Sequence, residues 1–219
     1  MTIAALRAEI AALGRTLEAA GLLELTAGNI SSRDGDLLAI TPSGIPYAAV
    51  GAEDVVVCRV ADGGVVEGSR KPSSELPLHR AIYTARPDCG AIVHTHSPYA
   101  TTFAVLREEI PAVHYSIARL RTPRVPVVDY ATYGSEALAA LAFSALAGGS
   151  QAALLANHGA VALGADLAES ARNAQVLETL AATFWRARAI GTPHVLPAAE
   201  IRLVQERYRA YGQPREAPR

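Results

Sequence analysis

The chain has 219 residues, half of them hydrophobic and 19% charged, with a net charge of −1. That supports one well-filled core and gives no electrostatic attraction to nucleic acid or to an anionic membrane surface. No apolar run reaches the roughly 20 residues of a membrane span; Arg7 and Glu9 interrupt the N-terminal segment, and the two cysteines, Cys58 and Cys89, form no CxxC pair, so a cytoplasmic protein without a signal peptide is expected.

Ile3, Leu6, Ile10, Leu13 and Leu17 recur three or four positions apart, which predicts an amphipathic helix over 3–20, ended by Gly21. Two hairpins follow, turning at Asp34-Gly35 and at Asp62-Gly63, and hairpins imply antiparallel pairing. After the polar loop "GSRKPSS" a helix is expected from about Ser74 to Arg86, stopped by Pro87. "GAIVHTHS" reads as a buried strand with a turn directly after it, and "VPVVDY" as another strand. A helix over 135–147 ends at Gly148-Gly149. "AALLANHGAVALG" is two apolar segments around a polar Asn157-His158-Gly159 tip. Asp166 and Glu169 cap a long helix to about Ile190, and Pro197 opens a last helix. The expectation is one α/β domain over 1–211, a mainly antiparallel sheet covered by helices, with a C-terminal tail over 212–219.

The chemistry concentrates on histidines. His94 and His96 stand two apart on one strand, so both project to the same face, about 6.5–7 Å apart. That spacing suits two nitrogens converging on one cation, but it also suits ordinary strand-end histidines. His158 is a third candidate, with Gly159 allowing the tip to bend back towards the sheet. Three histidines leave an open coordination position, the catalytic pattern. His79, His114 and His194 have no such partner and are assigned no role.

"TAGN" (26–29), "TPSG" (41–44) and "PSSE" (72–75) combine hydroxyls or an amide with Gly or Pro. Each alone is an ordinary capped turn. Together Thr26, Gly28, Asn29, Ser43, Gly44, Ser73 and Ser74 offer an anion site, with Ser73 and Ser74 preceding a helix N-terminus. Glu75 beside that seat is a candidate acid/base.

"LTAGNIS", "ITPSGIPY", "KPSSELPLH", "IVHTHS", "VHYSIA", "YATYG" and "LLANHGAVALG" stand in the order and spacing of the class II aldolase/epimerase family. The likeness runs from about Leu6 to Tyr211 and is greatest to its fuculose-phosphate aldolase branch. The resemblance implies a three-layer α/β/α fold and a cyclic homotetramer with active sites between subunits. It implies one divalent ion per subunit, zinc or else cobalt, manganese or iron(II), held by His94, His96 and His158, with Glu75 as fourth ligand or acid/base. It also implies a phosphate seat on Asn29, Ser43, Gly44, Ser73 and Ser74, Tyr115 as proton donor from a neighbouring subunit, and Tyr211 as a cover over the site. The implied reaction splits a ketose 1-phosphate (L-fuculose 1-phosphate, or a 5-deoxypentulose or methylthioribulose 1-phosphate) into dihydroxyacetone phosphate and an aldehyde, through an enediolate that the metal stabilises. Lys71 is the single lysine, which makes a Schiff base less attractive.

Three rivals remain: a pentulose-phosphate 4-epimerase and a methylthioribulose-1-phosphate dehydratase of the same family, and a non-catalytic binding module. Arg119, Arg121 and Arg124 depart from the glycine-rich segment of the fuculose enzymes and leave the aldehyde open, although a solvated or inter-subunit face is expected for them ahead of substrate contact. Tyr133 and Phe103 fit either an apolar pocket wall or the core.

Overall fold

The computed structural model describes residues 2–211; the expected tail, 212–219, lies outside them. Helix α1 (Ile3–Ala19) starts at Thr2, whose side chain accepts from the Ala5 N–H, and it buries Leu6, Ile10 and Leu17, the apolar stripe of the sequence. The first hairpin is β1 (Asn29–Asp34) and β2 (Leu37–Ile40). The second is β3 (Val56–Arg59) and β4 (Val65–Glu67). Helix α2 (Leu76–Ala85) begins just after the expected Ser74, with Glu75 at its N-cap.

Strand β5 (Ala91–Thr95) leads into α3 (Pro98–Leu106) rather than a simple turn. This helix escapes a periodicity reading because it is short and apolar on its outer face as well: Val105 and Leu106 are exposed while Phe103 and Ala104 are buried. Strands β6 (Ile110–Pro111) and β7 (Arg124–Val125) form a small ribbon around a 3-10 turn, Tyr115–Leu120. The single strand expected over "VPVVDY" is split at Pro126, which has no N–H to offer a ladder: β7 joins the ribbon, and β8 (Val127–Val128) pairs parallel with β9 (Ala152–Leu155). Between them α4 (Glu136–Leu146) is capped by Ser135. Strand β10 (Gly159–Gly164) returns antiparallel to β9. Helix α5 (Leu167–Ile190) has the expected acidic caps, with Glu169 N–H donating to Asp166 and Ala165 N–H to Glu169. Helix α6 (Ala198–Arg209) follows Pro197.

The eight-stranded sheet runs β4-β3-β2-β1-β5-β10-β9-β8 and is antiparallel apart from β8–β9. Leu38, Ile92, Val161 and Leu155 face α2 and α4, whereas Val93 and Ala162 face α1 and α5 and Leu154 and Ala160 face α3 and α5. These are three α/β/α layers, as expected. Each fully buried Leu or Ile contributes about 1.5–3 kcal/mol, so the alternation fixes the register of β5. A slip by one residue would exchange its faces and turn His94, on the Ile92 side, away from α2. Among the described residues no helix is long and apolar enough to cross a membrane.

Candidate metal centre and cleft

His94 lies on a central strand, opposite Asn29 of β1 and Val161 of β10, and is fully buried. Its Nδ1–H donates to the Ala160 carbonyl at 2.9 Å, so the neutral ring carries its lone pair on Nε2 and only the charged ring has a proton there for Glu75. His96 follows just past the end of β5. His158 comes from the β9–β10 tip, where Asn157 adopts a left-handed φ of 54°. The three rings stand with centroids 4.8–5.0 Å apart and planes inclined by 72–79°. Their donor nitrogens fall within 4.8 Å of one another. His94 Nε2 and His96 Nε2 are 3.1 Å apart, near the roughly 3.3 Å between two imidazoles on one tetrahedral ion.

Gly159 acts differently from the sequence expectation. Asn157 takes the strained backbone; Gly159 is needed because a Cβ there would lie 2.3 Å from the Thr95 carbonyl and 2.9 Å from His96 Cδ2. Gly159→Ala is therefore expected to cost about 1–3 kcal/mol by overpacking, read as a lower urea midpoint. An unchanged midpoint would show that the β5–β10 contact yields freely.

Glu75 is buried at the N-terminal end of α2. Its Oε2 lies 2.8 Å from His94 Nε2 and accepts from Asn29 Nδ2 at 3.1 Å; its Oε1 is 3.4 Å from His158 Nε2. Burial alone would raise this carboxyl, but attraction to His94 and hydrogen bonds from His94 and Asn29 hold it well below the usual carboxylate range. Burial likewise disfavours charge on His94, yet the Glu75 carboxylate outweighs it and raises that imidazole. Burial and then repulsion from His94 bring His96 and His158 down to about 4, so both keep neutral, lone-pair nitrogens at pH 7. The Nε2 atoms of His94 and His96, 3.1 Å apart, would repel as two bare lone pairs unless a proton or cation lay between them. Glu75 Oε1 is buried with no hydrogen-bond partner, a state that costs about 1–3 kcal/mol. Three imidazoles and a carboxylate in this geometry fit a divalent metal ion.

The triad opens into a cleft of about 330 Å³ lined by Glu75, His96 and His158. All three polar stretches reach it, through Thr26, Gly28 and Asn29, through Ser43 and Gly44, and through Ser73 and Ser74. Ser43 N–H donates to Lys71 O and Ser73 N–H to Thr41 O, which zips two of the stretches together. At Gly28 a Cβ would meet the His94 carbonyl at 2.6 Å, and φ is +79°, so this close approach requires glycine. Among the described residues the lining has no lysine or arginine. An anion here would be met by hydroxyls, N–H groups and the N-terminus of α2.

Tyr115 and Tyr211 are not brought to this cleft. They are exposed and gather about Tyr208, with ring centroids 6.4 and 5.9 Å from it and the Arg119 guanidinium 4.2 Å above it. Arg121 lies beside Asp88 and Glu169, and Arg124 beside Glu109, exposed pairs of little energetic weight. Phe103 is core, stacked on Phe184, whereas Tyr133 lines the cleft. Tyr130, unremarked in the sequence, lines it too. His114 caps the 3-10 turn through Ser116, and His194 is exposed. His79 is different: it is fully buried and hydrogen-bonds Asn29 and Ser31. The spacing Glu75, His79, Tyr83, one helical face, was the available signal.

The family model "Class II Aldolase and Adducin N-terminal domain" matches residues 8–185. A 5-deoxy-D-ribulose 1-phosphate aldolase of Bacillus thuringiensis is 42% identical over 209 residues, 94% of this chain and 97% of that protein. A 5-methylthioribulose-1-phosphate/5-deoxyribulose-1-phosphate aldolase of Rhodospirillum rubrum is 40% identical, covering 98% of this chain and 96% of that one. The solved structure of an L-fuculose 1-phosphate aldolase superposes with a TM-score of 0.90 at 40% identity, over 93% of this chain and 96% of that one. With a family match over most of its length and relatives of this identity across nearly all of it, the chain belongs to the class II aldolase and adducin N-terminal domain family.

Proposed function

We propose that this chain is a metal-dependent aldehyde-lyase that reversibly splits a ketose 1-phosphate into dihydroxyacetone phosphate and an aldehyde. The observation that carries it is the convergence of His94, His96 and His158 on one point beside a buried carboxylate, at the floor of a cleft rich in neutral donors. The names of the relatives at 42% and 40% identity support 5-deoxyribulose 1-phosphate and 5-methylthioribulose 1-phosphate as candidate substrates beside L-fuculose 1-phosphate, named for a structure also at 40% identity.

His94, His96 and His158 would hold a divalent ion, zinc in this reading, and the chemistry it would supply is Lewis-acid polarisation of the substrate carbonyl. The residues do the rest. Thr26, Gly28, Asn29, Ser43, Gly44, Ser73 and Ser74 seat the phosphate. In the synthetic direction the Glu75 carboxylate takes a proton from the hydroxymethyl carbon of dihydroxyacetone phosphate. That carbon adds to the aldehyde, and Tyr115 of a neighbouring subunit gives its proton to the new C4 oxygen; cleavage is the reverse.

Tyr115 and Tyr211 point outward, away from their own cleft, which supports a homotetramer in which each completes a neighbour's site. The aldolase domain spans 1–211, and the free, buried cysteines suit a cytoplasmic enzyme.

Ser43→Ala is expected to raise KM for the phosphorylated ketose by about 10–100-fold, since a hydrogen bond to a charged group is worth about 1.5–3 kcal/mol, with kcat nearly unchanged. An unmoved KM would take Ser43 out of the phosphate seat. The proposed activity is tested by assaying 5-deoxyribulose, 5-methylthioribulose and L-fuculose 1-phosphates for release of dihydroxyacetone phosphate. Epimerised pentulose phosphate without that product would make the protein a 4-epimerase, and loss of water from the methylthio sugar a dehydratase. No turnover together with no bound metal would make it a binding module.

A further inference from the structure

Beneath Glu75, α2 and β1 interlock through alternating polar side chains. Glu75, His79 and Tyr83 lie four apart on the inner face of α2, and Asn29 and Ser31 two apart on the inner face of β1. Tyr83 Oη is 2.8 Å from Ser31 Oγ, which is 2.6 Å from His79 Nδ1. His79 Nε2 is 2.5 Å from Asn29 Oδ1, and Asn29 Nδ2 is 3.1 Å from Glu75 Oε2. None of the five is more than 4% exposed.

This chain of bonds runs in one direction only. A carboxylate accepts and never donates, so Asn29 must turn its N–H side to Glu75. Its carbonyl then needs a donor, which places the imidazole proton of His79 on Nε2. Nδ1 of a neutral ring is left an acceptor, so the Ser31 hydroxyl donates to it and the Tyr83 hydroxyl donates to Ser31. Burial, followed by repulsion from His94, keeps the His79 ring neutral, down to about 3.

We propose that His79, locked as the Nε2–H tautomer by Ser31 and Tyr83, is a positioning residue that orients Asn29 and through it holds the Glu75 carboxylate for proton transfer. The inference rests on Glu75 as the acid/base. Without the His79 N–H, the Asn29 amide is free to turn its oxygen toward the carboxylate, and the two repel.

The test compares His79→Phe and His79→Gln with wild type, each as metal-loaded enzyme. His79→Phe should lose about 10–100-fold in kcat, the usual cost of an outer-shell partner, with metal content unchanged, because His79 touches none of the three histidines. His79→Gln, whose amide N–H still reaches the Asn29 carbonyl, should recover most of that loss. Nitrogen-15 NMR of the wild-type holoenzyme, with the His79 signals identified by their absence in His79→Gln, should show Nε2 protonated and Nδ1 bare at neutral pH. Wild-type kcat in His79→Phe, equal losses in both variants, or a proton on Nδ1 would each overturn the proposal. If His79→Phe does not fold, the tautomer and the glutamine variant decide. Normal turnover in Glu75→Gln would remove the acid/base assignment itself, whereas an inactive Glu75→Gln beside a fully active His79→Phe would remove only the role of His79.

Discussion

Glu75→Gln is expected to lower kcat for release of dihydroxyacetone phosphate by about 10²–10⁴-fold, the usual contribution of a general acid/base, or about 3–5 kcal/mol at 1.36 kcal/mol per factor of ten. Glutamine keeps the shape of the side chain, and its amide oxygen can still accept from Asn29, which sits 3.1 Å from Oε2. It cannot take up a proton. Steady-state rates should be measured without added metal and again at saturating metal, with bound metal determined on the same samples. A variant that binds the ion normally and turns over slowly has lost proton transfer. One whose rate returns on adding metal has lost only a ligand, so Glu75 would then be the fourth ligand rather than the base. Near-normal turnover without added metal would end both assignments.

His158→Ala should weaken metal binding by more than the roughly 10–100-fold typical of outer-shell changes, because it removes a direct ligand. The fold should tolerate it: His158 sits at a hairpin tip, and its Nδ1 has no hydrogen-bond partner to lose. The readout is thermal unfolding with and without zinc. A ligand that binds only the folded state stabilises it by about 2.7 kcal/mol at a hundred times its dissociation constant. Wild type should gain a large upward shift at a zinc concentration where His158→Ala gains almost none. Equal shifts in the two proteins would place the ion elsewhere.

These two residues show how much of the site the sequence carried. The pairing of His94 with His96 is a local property, because strand alternation alone puts both on one face. The polar stretches at 26–29, 41–44 and 72–75 announced themselves by composition, and all reach the cleft. His158 was legible only as a histidine between two apolar segments; what brings it home is the β5–β10 ladder, which pairs residues far apart in sequence. His79 was passed over for the same reason. Alone it is an unpartnered histidine on a helix, and it becomes a link to Glu75 only once the inner face of α2 meets β1. Tyr115 and Tyr211 entered through family resemblance, and within one chain they gather around Tyr208 instead of the triad.

Elsewhere local rules were overridden by packing. Residues 98–106 gave no helical period because Val105 and Leu106 stay exposed on the outer side of α3. A continuous strand through Pro126 was impossible once its neighbours joined different sheets. The bend at the 157–159 tip went to Asn157, whose short polar side chain tolerates the left-handed region, and Gly159 was needed for room.

Stripping the enzyme with a chelator and titrating a divalent ion back, while following dihydroxyacetone phosphate released from 5-deoxyribulose 1-phosphate, tests most directly whether the three histidines make a catalytic metal centre. Activity should fall to background and return in proportion to added ion, levelling off at about one ion per chain. Cleavage that continues at full rate in metal-free enzyme would contradict it.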